Sequence, residues 1–427
     1  MISSSVVEAI KKEVLHNLDE QIELTRKLVQ IPSVTGQEAK SQVFIAGLYQ
    51  RAGLDTNCLE VDFEKVSKHA AYCGLEENAA AYAERPNVIA KLNGAGGGKS
   101  LLINGHVDVV SPEPVEHWTC DPWEARIIED RLYGRGANDM KAGLIANFMA
   151  VKCLLSLGLE PLGDIILQSV IEEEAGGGGG TLALLVAGIT GEGAIVTEPT
   201  NLGIRIGSGG VLYFRLTVAG RTAHAGNAHL GVNAISHLIP IYRALEKLGE
   251  ERGNKRAPLF EKGSHGKSCH LNLGVLRAGD WPSTVPGEAI LEGRVGFLPG
   301  ETALQIKAQV KDCIDSVVSD DSWLRNRKPI LEWFGFRADP WLEPQESLLL
   351  ETVSDAAAVA TGETVDIHAR ASAVDNRFFP LFGCSTLCIG TRGAGNHAID
   401  EYVELNSLAP LTTALVISAL NWCGFRQ

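Results

Sequence analysis

This sequence is short of basic charge, of paired cysteines and of long apolar runs. Among its 427 residues, 52 acidic side chains outnumber 38 basic ones, and the formal net charge is −14. Such a surface repels polyphosphate, which argues against nucleic acid or an anionic membrane as the main partner. The nine cysteines include no CxxC pair of the kind that holds structural zinc. Scattered thiols are typical of a reducing compartment, and we expect a cytoplasmic protein.

Segments that would direct the chain to a membrane are also missing. Residues 6–18 mix lysine and glutamate into their apolar positions, unlike the apolar centre of a signal peptide. No apolar run reaches the ~20 residues of a membrane-spanning helix. A phosphate-binding loop is missing too, because the glycine-rich stretch at 94–100 has Asn93 where the first glycine is required. We therefore predict neither secretion nor membrane insertion.

The length and the order of periodic patterns predict two domains. A chain of 427 residues exceeds what one compact core usually holds. Between Leu101 and Thr197, short apolar runs alternate with helical patterns, which indicates a largely parallel sheet with covering helices. The predicted elements are a strand at 101–104, a helix at 141–157, a strand at 165–171, a helix at 181–187 and a strand at 194–197.

After Gly209 the order of the predicted strands and helices changes. Beyond Ala338 the predicted helices and strands again follow the order of the first domain. We predict an α/β fold in which residues 1–208 and 339–427 form a mostly parallel-sheet domain, and residues 209–338 form an inserted α+β ferredoxin-like domain of βαββαβ order. The inserted elements are strands at 211–218, 271–275, 289–297 and 330–336 with helices at 232–248 and 302–318, and the later signals lie at 348–360, 387–390 and 408–421.

A histidine and an aspartate stand together at the end of the first predicted strand. His106 precedes Asp108 by two residues, so both side chains can point the same way. A metal-binding imidazole usually gives its other N–H to a carboxylate, which is the role we expect for Asp108. Taken alone, such a pair is more often a hydrogen-bonded strand end.

Further acids stand where loops leave the predicted strands. Asp139 lies between a glycine-containing loop and a helix, a place suited either to an N-cap or to a carboxylate that bridges two cations. Glu172, Glu173 and Glu174 are adjacent at a strand end, so they repel one another unless a helix dipole or cations offset their charge. With metal present, one glutamate can be a ligand while its neighbour acts as a base.

Two more residues complete a ligand series. Glu198 follows the next strand, and His397 follows a glycine-rich loop. Ligands gather at the carboxyl ends of parallel strands, so these residues are expected to converge although each has a structural explanation alone. The series predicts a hydrolase, because two imidazoles and three carboxylates can hold two divalent ions: His106, Asp139, Glu174, Glu198 and His397.

These motifs, in this order around an inserted βαββαβ domain, resemble the aminoacylase, acetylornithine deacetylase, succinyl-diaminopimelate desuccinylase and glutamate carboxypeptidase family of dinuclear zinc hydrolases. The resemblance covers nearly the whole chain. It implies two divalent ions per subunit, zinc first, with manganese or cobalt as alternatives. It pairs His106 with Glu198 at one ion and Glu174 with His397 at the other, and it places Asp139 between them.

The resemblance also implies roles outside the ligand set. Glu173 becomes the general base. His224, in the inserted domain, reaches the active site of a neighbouring subunit and stabilises an oxyanion there, which implies a homodimer. Asn272, Arg294 and Arg377 bind the substrate, since a guanidinium can grip a carboxylate through two hydrogen bonds. The alternative for the two arginines is a structural ion pair.

Some features depart from the family pattern. Ser111 replaces a proline that often follows the His106 motif, and Glu172 replaces an aspartate before the two functional glutamates. Neither change removes a ligand. Segment 62–85 is longer and less regular than the motifs require, and we expect it to shape a wall of the active site.

The expected activity is hydrolysis of a C–N bond. The first interpretation is an amide in a small carboxylate-bearing molecule, such as an N-acyl amino acid or a short peptide-like substrate. The same site would also serve hydrolytic deamination of an amino-substituted, electron-poor aromatic acid. A third interpretation is a non-catalytic binding protein that retains the fold, but such a protein is expected to lack a ligand or the base, and this sequence has them all.

Overall fold

Two compact units make up the structure, a computed structural model that describes residues 2–74 and 78–426. The first unit contains residues 2–206, 343–367 and 374–426, and the second contains residues 207–342 and 368–373. The sequence predicted crossings at 208/209 and 338/339. The short segment 368–373, which clusters with the second unit, has no counterpart in that prediction.

Helices and strands alternate along both units. The helices are α1 Ser4–His16, α2 Leu18–Val29, α3 Ala39–Arg51, α4 Phe63–Val66, α5 Ala142–Leu157, α6 Thr181–Val186, α7 Ala234–Gly253, α8 Pro258–Gly263, α9 Ala303–Asp320, α10 Leu348–Thr361 and α11 Leu408–Cys423. The strands are β1 Asp55–Leu59, β2 Asn87–Leu92, β3 Leu101–His106, β4 Arg126–Ile128, β5 Arg131–Tyr133, β6 Glu160–Pro161, β7 Ile165–Val170, β8 Gly193–Val196, β9 Ile204–Ser208, β10 Gly210–Ala219, β11 Leu271–Ala278, β12 Glu288–Phe297, β13 Ile330–Ala338, β14 Trp341–Leu342, β15 Ile367–Arg370, β16 Ser385–Ile389, β17 Gly393–Ala394, β18 Tyr402–Glu404 and β19 Phe425–Arg426.

A mixed sheet forms the centre of the first unit, in the order β1-β2-β7-β3-β8-β16-β9. The middle strands β7, β3, β8 and β16 are parallel, as the sequence predicted. β1 and β2 join antiparallel at one edge, and β9 joins antiparallel beside β16. The α/β class is confirmed, but these antiparallel strands were not predicted, because an edge strand such as β1 carries too few apolar side chains to reveal itself.

α5 is a core helix of the first unit. By length and composition, Ala137–Leu157 could cross a membrane, with a mean hydropathy of 1.4 over its most apolar window. However, 78% of that window is buried inside the protein. A helix that is hydrophobic all round is expected in the core of a large protein. Its burial fixes the loop that enters it, and this loop carries Asp139.

The second unit has a four-stranded antiparallel sheet in the order β11-β12-β10-β13. Apart from the short helix α8 between α7 and β11, the chain runs β10, α7, β11, β12, α9, β13, so the predicted ferredoxin-like βαββαβ order is confirmed. Side chains of α7 and α9 pack with those of the strands in one buried cluster. α9 begins at a capping box, in which Thr302 and Gln305 each satisfy the other's main-chain N–H.

A buried ion pair stabilises the end of α7. Arg252 is 2% exposed, and its Nη2 lies 2.8 Å from Glu301 Oε2. The N–H of Leu298 and the ammonium of Lys255 also donate to the Glu301 carboxylate. Burial by itself would raise the pKa of Glu301, but these hydrogen bonds outweigh burial and lower the pKa to about 2.

We expect Glu301→Gln to lower the free energy of unfolding by about 2–3 kcal/mol at pH 7. Because the folded pKa lies below the unfolded value of ~4.3, the contribution of Glu301 is fully present above pH ~4.3 and is lost as the pH falls toward 2. Urea unfolding at pH 7 and pH 3 measures the difference. The control is Asp315→Asn, which removes an exposed pair with Lys311 and should change the free energy of unfolding much less. An equal effect of Glu301→Gln at both pH values would contradict the prediction.

Candidate dinuclear metal centre

Three neighbouring strands of the first unit end at the site. β7 and β8 both pair in parallel with β3, so their carboxyl ends meet at one edge of the sheet. His106 is the last residue of β3, Glu173 and Glu174 follow β7, and Glu198 follows β8. The sheet therefore brings an imidazole and three carboxylates to one place.

One ligand group consists of His106, Asp139 and Glu198. His106 Nε2 lies 3.3 Å from Asp139 Oδ1 and 3.5 Å from Glu198 Oε1. Only 1% of His106 is exposed, so packing fixes the position of its ring. One imidazole nitrogen and two carboxylate oxygens are donors that suit zinc, manganese or cobalt.

A second ligand group consists of Asp139, Glu174 and His397. His397 Nε2 lies 2.9 Å from Glu174 Oε2 and 3.6 Å from Asp139 Oδ2. The His397 side chain is 54% exposed, in contrast to the buried imidazole of His106. This group is therefore the more open of the two to water and to a small substrate.

Asp139 belongs to both groups, because its Oδ1 faces His106 and its Oδ2 faces His397. Within each group the ligand atoms lie within 4.8 Å of one another. A carboxylate that divides its oxygens in this way can bridge two cations. The donor atoms fit two divalent ions, and the assignment of an ion to each group stays a prediction.

Asp108 makes a different contact from the predicted one. His106 Nδ1 lies 2.9 Å from the main-chain oxygen of Asp108 and 3.6 Å from its carboxylate. The carboxylate instead accepts hydrogen bonds from the N–H groups of Glu173 and Glu174, at 3.1 and 3.3 Å, and from the Thr35 hydroxyl at 2.9 Å. Asp108 therefore ties the turn that carries both glutamates to the end of β3.

Several carboxylates lie close together in the candidate metal centre and repel one another. Burial raises the pKa of Glu173 well above its ordinary range, and the carboxylates of Glu198 and Asp375 raise it further. Burial also raises the pKa of Glu198, and Asp139 adds to that effect. Burial by itself would lower the pKa of His106, but its hydrogen bonds with Asp139 and Glu198 outweigh burial and raise the pKa. Cations bound here would relieve the repulsion between the acids.

Glu401 is a residue of the site that the sequence did not single out. Its buried carboxylate accepts the N–H groups of Gly136, Asn138 and Asp139, at 2.9, 3.0 and 2.9 Å. These bonds fix the main chain from which the Asp139 carboxylate projects. In the sequence Glu401 is one acid in a short loop after His397, and such acids are usually exposed.

Asp375 and Arg377 lie beside the glutamates. The Asp375 carboxylate is buried and raises the pKa of Glu173, a proximity that the sequence did not predict. Arg377 donates to the main-chain oxygens of Val374 and Gly176, at 3.0 and 2.6 Å. Both bonds support the backbone beside the site. The role of Arg377 in substrate binding stays a prediction.

The remaining predicted residues lie in the second unit. His224 is exposed, and its Nδ1 accepts a hydrogen bond from the Gly226 N–H at 3.0 Å. A neutral imidazole that accepts at Nδ1 carries its proton on Nε2, so His224 has a donor to offer. Asn272 and Arg294 are directly opposite each other on β11 and β12. Their side chains therefore share one face of the sheet, and the roles of all three stay predictions.

Comparisons with known proteins agree with this architecture. A family model described as peptidase family M20/M25/M40 matches residues 102–421. The N-formyl-4-amino-5-aminomethyl-2-methylpyrimidine deformylase of Halalkalibacterium halodurans is 26% identical, with 100% of both chains covered. The succinyl-diaminopimelate desuccinylase of Methylibium petroleiphilum is also 26% identical, covering 91% of this chain and 94% of that protein. The crystal structure of human carnosine dipeptidase 1 superposes with a TM-score of 0.74 at 16% identity, covering 98% of this chain and 99% of that one.

These findings confirm the family that the motifs resembled. They also confirm an enzyme, whereas neither deamination nor a non-catalytic binding role finds support among them. A deformylase, a desuccinylase and a dipeptidase all hydrolyse an amide bond, which is the reaction class predicted from the ligand series. This chain belongs to peptidase family M20/M25/M40 and is a metal-dependent hydrolase that acts on amide bonds.

Proposed function

We propose that the chain removes an acyl group from a small, carboxylate-bearing amide, either an N-acyl amino acid or a short peptide-like molecule. The observation that carries this proposal is the position of Asp139, whose two oxygens face two separate ligand groups beside Glu173. The names of two relatives support a small acyl group, since one removes a formyl group and the other a succinyl group.

Two divalent ions are the proposed cofactor. His106 with Glu198 would hold one ion and Glu174 with His397 the other, with Asp139 shared. Zinc is the first choice because it accepts mixed nitrogen and oxygen ligands in a small coordination shell, and manganese or cobalt suit the same donors. When bound, such ions lower the pKa of water from about 15.7 to about 7 and polarise a carbonyl group.

Glu173 is the proposed general base. Its carboxylate accepts a proton from the attacking water and later returns that proton to the leaving nitrogen. Burial and the neighbouring carboxylates raise the pKa of Glu173, so its carboxylate accepts a proton more readily than an exposed one does. Asp108 holds the Glu173 N–H, so the base keeps a fixed position relative to β3.

A homodimer is the proposed assembly, with His224 serving the site of the partner subunit. A donor on its Nε2 is what an oxyanion requires in the transition state. Asn272 and Arg294 would bind the substrate carboxylate, and a local guanidinium is needed because the net charge of −14 repels anions. The cytoplasm is the proposed compartment, since none of the nine cysteines forms a disulfide bond with another.

Glu173→Gln is expected to lower kcat by about 10²–10⁴-fold, because the amide cannot accept a proton from water. The variant should bind as much metal as the wild type, since Glu173 belongs to neither ligand group. Steady-state kinetics and elemental analysis of the purified protein measure both effects. Glu160→Gln, a change at an exposed acid, is the matched control and should keep full activity. Wild-type turnover by Glu173→Gln would rule out its role as base.

Removal of metal is expected to abolish hydrolysis, and zinc, manganese or cobalt should restore it. The assay compares N-formyl amines, N-succinyl amino acids, dipeptides and amino-substituted aromatic acids, and it identifies the nitrogen compound released. We expect free amines from the amides and no ammonia from the aromatic acids.

His397→Ala should bind less metal than the wild type, whereas the exposed His117→Ala should not. Unchanged activity after complete removal of metal would overturn the proposed function.

A mixed dimer tests the role of His224. Glu173→Gln and His224→Ala subunits should each be inactive alone, whereas a dimer with one of each should regain one intact site. Differently tagged subunits allow the mixed dimer to be purified and assayed. The control combines Glu173→Gln with Asp139→Ala, which leaves no intact site in any dimer. If purified mixed dimers of the first pair are as inactive as the control, His224 does not act across subunits.

A further inference from the structure

The loop after Glu174 lies directly against two tyrosine rings. Residues 176–180 are all glycine. A Cβ added at Gly178 would meet Tyr72 Cε2 at 2.8 Å, and one added at Gly179 would meet Tyr82 Cε1 at 2.2 Å. Real side chains do not approach so closely, so the loop is glycine because aromatic rings already occupy the space. Both rings belong to the described part of segment 62–85, which the sequence predicts to shape a wall of the active site.

Glu172 closes the turn that carries Glu173. It is fully buried and has a φ of 65°, in the left-handed region. Its main-chain oxygen accepts the N–H groups of Ala175 and Gly177, at 3.2 and 2.7 Å. Its side-chain Oε1 accepts the N–H of Gly179 at 3.2 Å. One residue therefore satisfies three N–H groups of the loop and holds the loop in one conformation.

Tyr82 holds the Glu172 side chain. The Tyr82 hydroxyl donates to Glu172 Oε1 at 3.0 Å and lies 2.7 Å from the Tyr72 hydroxyl. The Tyr82 ring is buried and packs on Phe63, with ring centroids 5.9 Å apart. Packing holds the Tyr82 ring, and a hydrogen bond holds its hydroxyl group, so this hydroxyl has a fixed position beside the Glu172 carboxylate.

Arg85 anchors this arrangement to α3. Its guanidinium donates two hydrogen bonds of 2.7 Å to Glu38, the buried residue that precedes the helix. The guanidinium also lies 3.9 Å from Glu172 Oε2, where its charge offsets that of the buried carboxylate. Tyr82 and Arg85 therefore tie this part of the chain both to the glutamate turn and to α3.

We propose that Tyr82, acting through Glu172, is a positioning residue for the general base Glu173. This inference rests on the hydrolase function proposed above. Asp108 holds the Glu173 N–H from β3, and the Tyr82–Glu172 hydrogen bond holds the loop that follows, so the base is fixed from both sides. Glu173 acts in the chemical step, so a looser turn slows turnover and leaves substrate affinity unchanged. A misplacement of about 1 Å can cost 10²-fold in rate.

Tyr82→Phe tests the proposal, because it deletes one oxygen atom and keeps the ring that packs on Gly179. We expect kcat to fall about tenfold or more, with KM changed by less than about twofold. Metal content should equal that of the wild type. Hydrogen exchange of the peptide that spans residues 170–180 should become faster, because the loop has lost a buried restraint.

Tyr72→Phe is the matched control. It removes a hydroxyl group that contacts Tyr82 but leaves the Tyr82–Glu172 bond intact, so kcat should stay within about twofold of the wild type. Equal losses of kcat in the two variants, wild-type kcat in Tyr82→Phe, or unchanged exchange of 170–180 would each overturn the proposal. If the metal-loaded wild type cleaves no amide, the proposed function fails, and the exchange comparison alone decides whether Tyr82 holds the loop.

Discussion

The site depends on keeping together carboxylates that repel one another. Parallel strands β3, β7 and β8 end side by side, and this topology leaves the acidic side chains little room to separate. Repulsion could still be relieved if the main chain moved, but two other acids prevent that. Asp108 binds the N–H groups behind the glutamates, and Glu401 binds those behind Asp139. Asp108 and Glu401 therefore hold in place the main chain that carries these charged groups, and Glu401 also pairs with the guanidinium of Arg135.

Features with a local pattern could be predicted from the sequence. The parallel strands β3 and β7 begin with the apolar runs 101–103 and 165–167, as expected of strands covered on both faces, and the ends of these strands mark the site. The βαββαβ order of the second unit could be predicted because its strand and helix segments have ordinary lengths and clear periodic patterns. The antiparallel strand β1 did not show in this way, because a strand at the edge of the sheet needs no continuous apolar surface. Residue types that suit metal were likewise visible, since histidines and acids rarely gather at strand ends without a cause.

Contacts between distant parts of the chain could not be predicted. The spacing of His106 and Asp108 cannot distinguish a bond to the carboxylate from a bond to the main-chain oxygen, and the structure has the latter. Glu401 and Tyr82 reach the site only through tertiary packing, and each looks ordinary in its own segment. The run of glycines at 176–180 is plain in the sequence, but the tyrosine rings that pack against it lie in a segment without a clear pattern.

The late position of His397 and Glu401 along the chain has a consequence for biosynthesis. A growing chain on the ribosome exposes His106, Asp139 and Glu198 long before the last segment is made, so it can offer one ligand group at most. The second group, and the carboxylate that fixes the Asp139 backbone, are added only after residues 397–401 have been made. Chains that lack residues 397–401 therefore cannot complete the second group, which forms only when this segment has folded back onto the first strands.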